Sequence, residues 1–481
     1  MDLAFFHYRS SFPWRILLTA VVICAGGSLH YGIQLTNLNP AEDVFRHFIN
    51  ESTAYHYGTT LSDSSYRLIW SLILNAQLIG TIFGALLVVE LSERLGRRQV
   101  FYVSSCFSLT GLIVQCVSKS CVSYEVLALG RLLTGVGSGL ASTVESMYLN
   151  EISPVHLRGF FGSMIGVFVE LGFIIGGLIS LPEVLGTLAS FPWMFAIEVP
   201  SILCLLAALP FLHESPRHLL AKGRIQECRQ SLTFFGHKNI DASFDEISAE
   251  IRSQESKVSL REIWSKSHLR KATFLGIMVI VMAAATGICA MDYFSTNILV
   301  GVGIPLKTAQ YASLGIFVQC LIPAIIGSIL TEKVGRRILL LSTTFLLALI
   351  NSSLMVLGII YRIYRALWAG YLSIVSCMLL GFTFGIGPSI LQWSITTEMV
   401  PQNARSRVQS IVMVGQKITG LIVSAVFFPL QGAVGPFAFL LFVIPLVICF
   451  VIFLKEFPET KNKTIVEVMQ KLGYTGEIEE K

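Results

Sequence analysis

The sequence predicts an all-α membrane protein of about twelve transmembrane helices, arranged as two pseudo-symmetric six-helix bundles. Three observations predict it. The 481 residues are 53% hydrophobic and only 14% charged, with a mean hydropathy of +0.69, against about 25% charged residues in a typical soluble domain. Apolar stretches of the roughly 20 residues needed to cross a bilayer recur along the whole chain. Short charged motifs of the first half return, in order, in the second.

The first apolar stretch, 14–36, is longer than a signal-peptide core and runs through Gly26, Gly27 and Gly32 into polar positions without a small-residue cleavage site. It reads as the first span. Spans at 67–91 and 99–117 flank Glu93-Arg94-Leu95-Gly96-Arg97-Arg98. The next two, 124–148 and 159–181, flank Glu151-x-x-Pro154-x-x-x-Arg158, and the sixth, 191–212, ends at Glu214-Ser215-Pro216-Arg217. Residues 1–212 thus read as an amino-terminal six-helix bundle. The polar, Lys- and Glu-rich segment 213–271 reads as a linker bearing short surface helices. A second bundle, 272–455, holds spans at 272–299, 309–331, 338–360, 367–393, 406–429 and 435–455, and 456–481 is a tail.

The repeat supports this division. The first motif returns as Glu332-Lys333-Val334-Gly335-Arg336-Arg337, offset by 239 residues; the second as Glu398-x-x-Pro401-x-x-x-Arg405, offset by 247; the third, loosely, as Glu459-Thr460-Lys461, offset by 245. Three matches in order at nearly constant spacing indicate duplication. Parallel repeats of this kind characterise carriers that rock about a midplane site. No ring of like residues suggests a channel filter, and no cluster of His, metal spacing or nucleophile with a nearby base suggests an enzyme. No cofactor or nucleic-acid partner is expected; the partners are a small-molecule solute and the bilayer, and a monomer suffices.

Basic residues set the orientation. The segments on the side of both termini hold 27 Lys and Arg, and the opposite side holds six. Both termini are therefore expected in the cytoplasm, with the plasma membrane as the default location. The loop after the first span then faces outward, and its Asn50-Glu51-Ser52 is a glycosylation acceptor. The ten cysteines show no metal or redox spacing and read mostly as small packing residues, with Cys116 and Cys121 a candidate pair.

The motifs also carry a resemblance. Gly27-Ser28-Leu29-His30-Tyr31-Gly32, the 93–98 run, Gly130-Arg131, Met147 to Pro154, Leu157-Arg158-Gly159, Glu214 to Leu220, Tyr371 to Val375, Gly387-Pro388, Trp393, Glu398, Arg405 and Pro458 to Lys461 resemble the sugar porter branch of the major facilitator superfamily. Facilitative glucose transporters are the nearest likeness. The resemblance implies the major facilitator fold and an alternating-access hexose carrier working down a gradient. It implies a cytoplasmic gate network of Glu93, Arg94, Arg97, Arg98, Glu151, Arg158, Glu332, Arg336, Arg337, Glu398 and Arg405, all present.

The substrate site departs from the pattern. Two adjacent glutamines of the seventh span are Ala283 and Ala284, its asparagine is Cys289, the fifth-span glutamine aligns with Gly166, and Cys320, Gly385, Lys417 and Gly420 replace further polar or aromatic positions. Trp393, Gln416 and Tyr293 remain. Hexose hydroxyls need groups that donate and accept, and each lost partner costs roughly 1–3 kcal/mol. Charges have entered instead: Glu145, Glu170, Glu198, Asp292 and Lys417 lie within spans, where a charge requires a cavity or a partner. The candidate substrate site is therefore Gln34, Glu170, Cys289, Asp292, Tyr293, Trp393, Gln416 and Lys417. Asp292, Glu170 and Lys417 read either as a site for a charged or zwitterionic solute, a proton-coupled carrier included, or as an internal ion pair. A non-transporting sensor that has kept the gate is the third reading.

Overall fold

The structure is a computed structural model that describes residues 13–473, apart from 155, 156, 238, 254–259, 320, 401, 462 and 464. The described chain is helical. The amino-terminal half comprises α1 (Trp14–Gly26), α2 (Ser28–Thr36), α3 (Glu42–Tyr57), α4 (Asp63–Arg94), α5 (Arg97–Val117), α6 (Tyr124–Ile152), α7 (Arg158–Ile179), α8 (Phe191–Ala196) and α9 (Val199–Ala208). Four short helices follow, α10 (Pro216–Ala221), α11 (Ile225–Phe234), α12 (Ile240–Ser253) and α13 (Leu260–Ser265). The second half comprises α14 (Ser267–Ala285), α15 (Ile288–Gly301), α16 (Leu306–Gln319), α17 (Leu321–Val334), α18 (Arg336–Tyr364), α19 (Leu367–Ile386), α20 (Pro388–Glu398), α21 (Gln402–Val434) and α22 (Leu440–Glu456), with α23 (Ile465–Lys471) in the tail.

Ten helical runs among the described residues are long and apolar enough to cross a membrane. One of them, 407–456, covers the last two expected spans, and the expected 309–331 span falls on α16 and α17, either side of residue 320.

Among the described residues three spans are broken at a glycine. The first is α1 and α2, joined at Gly27, and the seventh is α14 and α15, joined at Gly287. Gly287 takes φ +85°, a left-handed conformation that glycine adopts without steric cost. The carbonyl freed there, of Thr286, accepts from Asn351 Nδ2 at 3.0 Å. The third break is at Gly387, ahead of Pro388. Such breaks survive in a bilayer only where protein re-satisfies the backbone.

The loop expected between the first two spans instead contains α3. Glu42 and Asp43 occupy its first turn and Gly58, at φ +62°, ends it, a start and a stop that suit the helix dipole and its termination. Phe45, Phe48 and Ile49 are buried, and both phenylalanine rings pack against Phe191 with centroids 5.2 Å apart.

Glycines set the closest helix approach. Gly80 and Gly84 of α4 meet Gly135 and Gly139 of α6, two small-xxx-small pairs face to face. A Cβ on Gly84 would sit 2.9 Å from the Leu140 nitrogen and 3.1 Å from Gly139 Cα. Helices α1–α9 pack chiefly among themselves, as do α14–α22, and the halves meet where α4 packs on α21, α7 on α16 and α2 on α15. The α10–α12 segment has its own small core of Leu219, Cys228, Leu232 and Ile247. Cys116 and Cys121 are both free thiols; Cys116 Sγ donates instead to the Pro192 carbonyl at 3.3 Å.

Candidate functional site

The duplicated motifs build the same structure twice, at one end of the bundle. In the first copy, Gly96 at φ +95° turns the chain into α5. The Glu214 carboxylate caps that helix, accepting from the backbone N–H of Arg97 at 2.9 Å and of Arg98 at 3.1 Å. A carboxylate at a helix N-terminus satisfies orphan donors and suits the dipole. Arg97 donates to Glu151 Oε1 at 2.8 Å and to the Ser92 carbonyl at 3.1 Å, while the Ser215 hydroxyl donates to Glu151 Oε2 at 2.5 Å.

The second copy repeats this bond for bond. Gly335 stands at φ +101°. Glu459 accepts from the N–H groups of Arg336 at 3.0 Å and Arg337 at 3.2 Å. Arg336 donates to Glu398 Oε1 at 3.3 Å and to the Thr331 carbonyl at 3.3 Å, and the Thr460 hydroxyl donates to Glu398 Oε2 at 2.5 Å. Arg98 and Arg337 likewise each reach a carbonyl, of Leu212 at 3.2 Å and Leu454 at 2.8 Å.

Of the other expected gate residues, Glu93 is exposed, Arg94 pairs with Glu90 one turn back on the same helix, and Arg158 opens α7. The side chains of Glu332 and Arg405 lie outside the described residues, as does that of Trp393. The four residues that complete the clusters, Glu214, Ser215, Glu459 and Thr460, were visible as a repeat but not as caps. Only the first copy has a histidine: His218 Nδ1 accepts from Arg97 at 3.0 Å. Burial, and the Arg97 charge beside it, hold His218 below the ordinary imidazole range against the pull of Glu214.

Deeper in the amino-terminal half lies a buried polar cluster. Gln34 is fully buried; its Nε2 donates to Glu198 Oε1 at 2.8 Å, and His30 Nδ1 meets Glu198 Oε2 at 2.5 Å. Arg131, also fully buried, donates to Gln77 Oε1 at 2.6 Å, to the Gln34 carbonyl at 3.1 Å and to the Ile73 carbonyl at 3.2 Å. Ser28 donates to Glu145 Oε2 at 2.5 Å nearby. His30, Arg131 and Gln77 were not among the expected site residues, although His30 and Gln34 lie one helical turn apart in an apolar span.

The remaining expected residues converge between the halves. Glu170 comes from α7, Cys289, Asp292 and Tyr293 from α15, and Gln416 and Lys417 from α21. Glu170, Asp292 and Lys417 are each half-buried. Asp292 lies within electrostatic reach of Glu170, and Cys289 within reach of both Asp292 and Lys417. No ion pair among the described residues joins Lys417 to either carboxylate; its ammonium instead lies over the Tyr31 ring, 5.5 Å from the centroid. The Tyr293 hydroxyl is buried without a hydrogen-bond partner. Gln416 Nε2 donates to Gln392 Oε1 at 2.9 Å, leaving Gln416 Oε1 unpartnered. Gly166, one turn from Glu170, and Gly420 both open onto empty space.

The end opposite the motifs is shut by bonds between the halves. Asn39 Nδ2 donates to the Asp292 carbonyl at 2.8 Å and to Ser295 Oγ at 2.8 Å, and its Oδ1 accepts from the Thr296 N–H at 3.2 Å. Gln310 donates to the Pro40 carbonyl at 2.6 Å, Ser71 to the Ala425 carbonyl at 3.0 Å, and Ser424 to Asn75. At the surface Lys307 pairs with Glu183 at 2.7 Å. The hydrogen bond from Lys307 holds the Glu183 carboxyl below its usual range. These residues had no sequence signal beyond being polar near span ends.

A sequence model of the family described as "Sugar (and other) transporter" matches residues 20–472. The chain is 30% identical over 469 residues to the mouse (Mus musculus) protein named "Solute carrier family 2, facilitated glucose transporter member 7", covering 96% of this chain and 91% of that one. It is 30% identical over 468 residues to member 11 of Homo sapiens, covering 95% and 93%. Among solved structures, the inward-open conformation of the xylose transporter XylE from E. coli superposes with a TM-score of 0.77 at 19% identity, over 95% of this chain and 99% of that one. That structure belongs to a major facilitator superfamily protein, and the likeness establishes the same fold here.

Proposed function

The chain belongs to the sugar (and other) transporter family, and from that premise we propose that it carries a hexose or a related small solute down its gradient by alternating access. The observation that carries the reading is the pair of matching motif clusters. Each clamps two helices of its own half through an arginine, a glutamate and a helix cap, so each half is stiff where it must move as a body. Bonds of the opposite end close one route, and a carrier that rocks between closures needs rigid halves with a separable interface.

The basic bias supports placing the motif end and both termini in the cytoplasm, so that the shut end faces outward and the Asn50 acceptor with it. Asn50 is exposed on α3. The plasma membrane and a monomeric working unit complete the proposal.

Saturable uptake and counterflow of radiolabelled D-glucose or D-fructose in expressing cells test it, with surface protein verified by biotinylation. Uptake of both at the level of untransfected cells would end the hexose reading. A second reading, a charged or zwitterionic solute on the same scaffold, is favoured by Glu170, Asp292 and Lys417 between the halves. A charged solute saturably taken up in the same assay selects it.

A further inference from the structure

We infer that Glu170 and Asp292 together form the recognition site for a protonated amine, so that the preferred solute is a small polyol carrying an ammonium group; this rests on the transport reading above and names the solute class for its site.

The two carboxylates come from opposite halves, Glu170 on α7 and Asp292 on α15, and are within electrostatic reach of each other. Among the described residues neither has a cationic partner within 4.0 Å, although a lysine stands in the same site. That lysine, Lys417, lies over the Tyr31 ring, a placement stabilised by the ring quadrupole, and leaves the carboxylates to something else. Glu170 Oε2 is buried and accepts no hydrogen bond. A buried carboxylate oxygen without a donor is costly, and two like charges in a poorly screened site raise that cost.

A second observation also points to a ligand. The Tyr293 hydroxyl is enclosed, the residue being only 3% exposed, and has no hydrogen-bond partner. It lies within electrostatic reach of Tyr31 and Arg131 as well as of Cys289 and Asp292. Space exists one turn from Glu170, since a Cβ added at Gly166 would meet nothing within 4 Å. The neutral acceptor Gln416 Oε1 is unpartnered as well, which suits a hydroxyl.

An ammonium group meets these demands together. It has three donors and no acceptor, a complement to two carboxylates and a phenol oxygen. A neutral hexose cannot, because each hydroxyl it offers leaves the charge uncompensated. Because the carboxylates belong to different halves, an ammonium held by both draws the halves together. Loading is thereby coupled to closing.

The test is binding to the purified full-length chain at pH 6.5, where an amine of this kind is protonated, of tritiated D-glucosamine, D-glucose and N-acetyl-D-glucosamine. The three share a ring, and only D-glucosamine carries a charge, on its C2 nitrogen. D-Glucosamine is expected to bind about 10- to 100-fold more tightly than the acetylated form, the range of charge-assisted hydrogen bonds. Glu170→Gln and Asp292→Asn should each remove that preference. Equal or tighter binding of the neutral sugars by the wild-type chain overturns the inference whatever the variants do. So does a glucosamine preference that survives either substitution, and so does binding of none of the three. Proteoliposome counterflow separates the two readings. Glucosamine bound with the expected preference but not moved upholds the amine site and sinks transport; neutral hexose moved without an amine preference does the reverse.

Discussion

Arg97 donates to Glu151 across 2.8 Å in a pair only 10% and 9% exposed, whereas its duplicate, Arg336 with Glu398, spans 3.2 Å and is 22% and 27% exposed. The two copies share their bonds but not their burial. Breaking a buried pair costs more than breaking a wet one, because the surviving charge is stranded. Glu151→Gln should therefore destabilise the protein by about 3 kcal/mol and Glu398→Gln by about 1 kcal/mol. Melting of the two purified variants beside the wild type orders them, and equal losses would contradict the argument.

His218 makes the first copy sensitive to acid. Its Nδ1 accepts from Arg97, which requires the neutral ring, and its folded value lies below the ordinary 6.5. A depressed histidine contributes stability that is present above 6.5 and lost as pH falls through its lower folded value. Melting temperature should thus fall on acidification below pH 6.5. In His218→Gln, where an amide oxygen can still accept from Arg97, the fall should flatten. A variant profile parallel to the wild type would exclude His218 as the cause.

Lys307 and Glu183 form an exposed latch across the far end. Salt screens such pairs, and the carboxyl, held below its usual range by Lys307, keeps the latch above the ordinary carboxylate value and loses it as pH falls beneath. Glu183→Gln should shift the population toward opening at that end. Cys289, between the halves, reports this: alkylation by a membrane-impermeant maleimide added from the motif side, read by peptide mass spectrometry, should slow in the variant. Unchanged alkylation means that the latch contributes nothing.

Gly84→Ala tests the close approach of α4 and α6. Its added methyl would meet the Leu140 nitrogen at 2.9 Å, backbone that cannot rotate aside, so a loss of about 1–3 kcal/mol is expected. Gly166→Ala, which opens onto empty space, should leave the melting temperature unchanged. The contrast between the two is the measurement.

Asn50→Gln should remove one step of electrophoretic mobility that N-glycosidase F also removes from the wild type. The neighbouring Ser52 hydroxyl is buried and accepts from the Tyr124 N–H at 3.2 Å in the folded protein, so attachment must precede the docking of α3 on α6. Identical mobility of variant and wild type would argue against an outward-facing α3.

The spans and the repeat were legible because both are one-dimensional: 20-residue apolar runs, and charged motifs at nearly fixed offsets. α3 was missed because it is polar overall, although Glu42, Asp43 and Gly58 mark its ends. The breaks at Gly287 and Gly387 were hidden inside continuous apolar runs. The charged site was legible as a set of residues but not as an arrangement. Whether Lys417 faces Asp292, Glu170 or Tyr31 depends on helix rotation and on how two distant halves meet, which no local pattern encodes. Glu214 and Glu459 show the converse. Their recurrence was plain, but a cap is recognised only when the helix it closes, more than a hundred residues earlier, is beside it.

Beneath the exposed Lys307–Glu183 latch, the buried seal of the far end is made of amides and hydroxyls, through Asn39, Gln310, Ser71, Asn75 and Ser424. An elementary charge moved through 100 mV of membrane potential does about 2.3 kcal/mol of work, and parting these bonds moves none. The parting of that buried layer is therefore electrically silent, and any dependence of this seal on the resting potential falls to the Lys307–Glu183 latch.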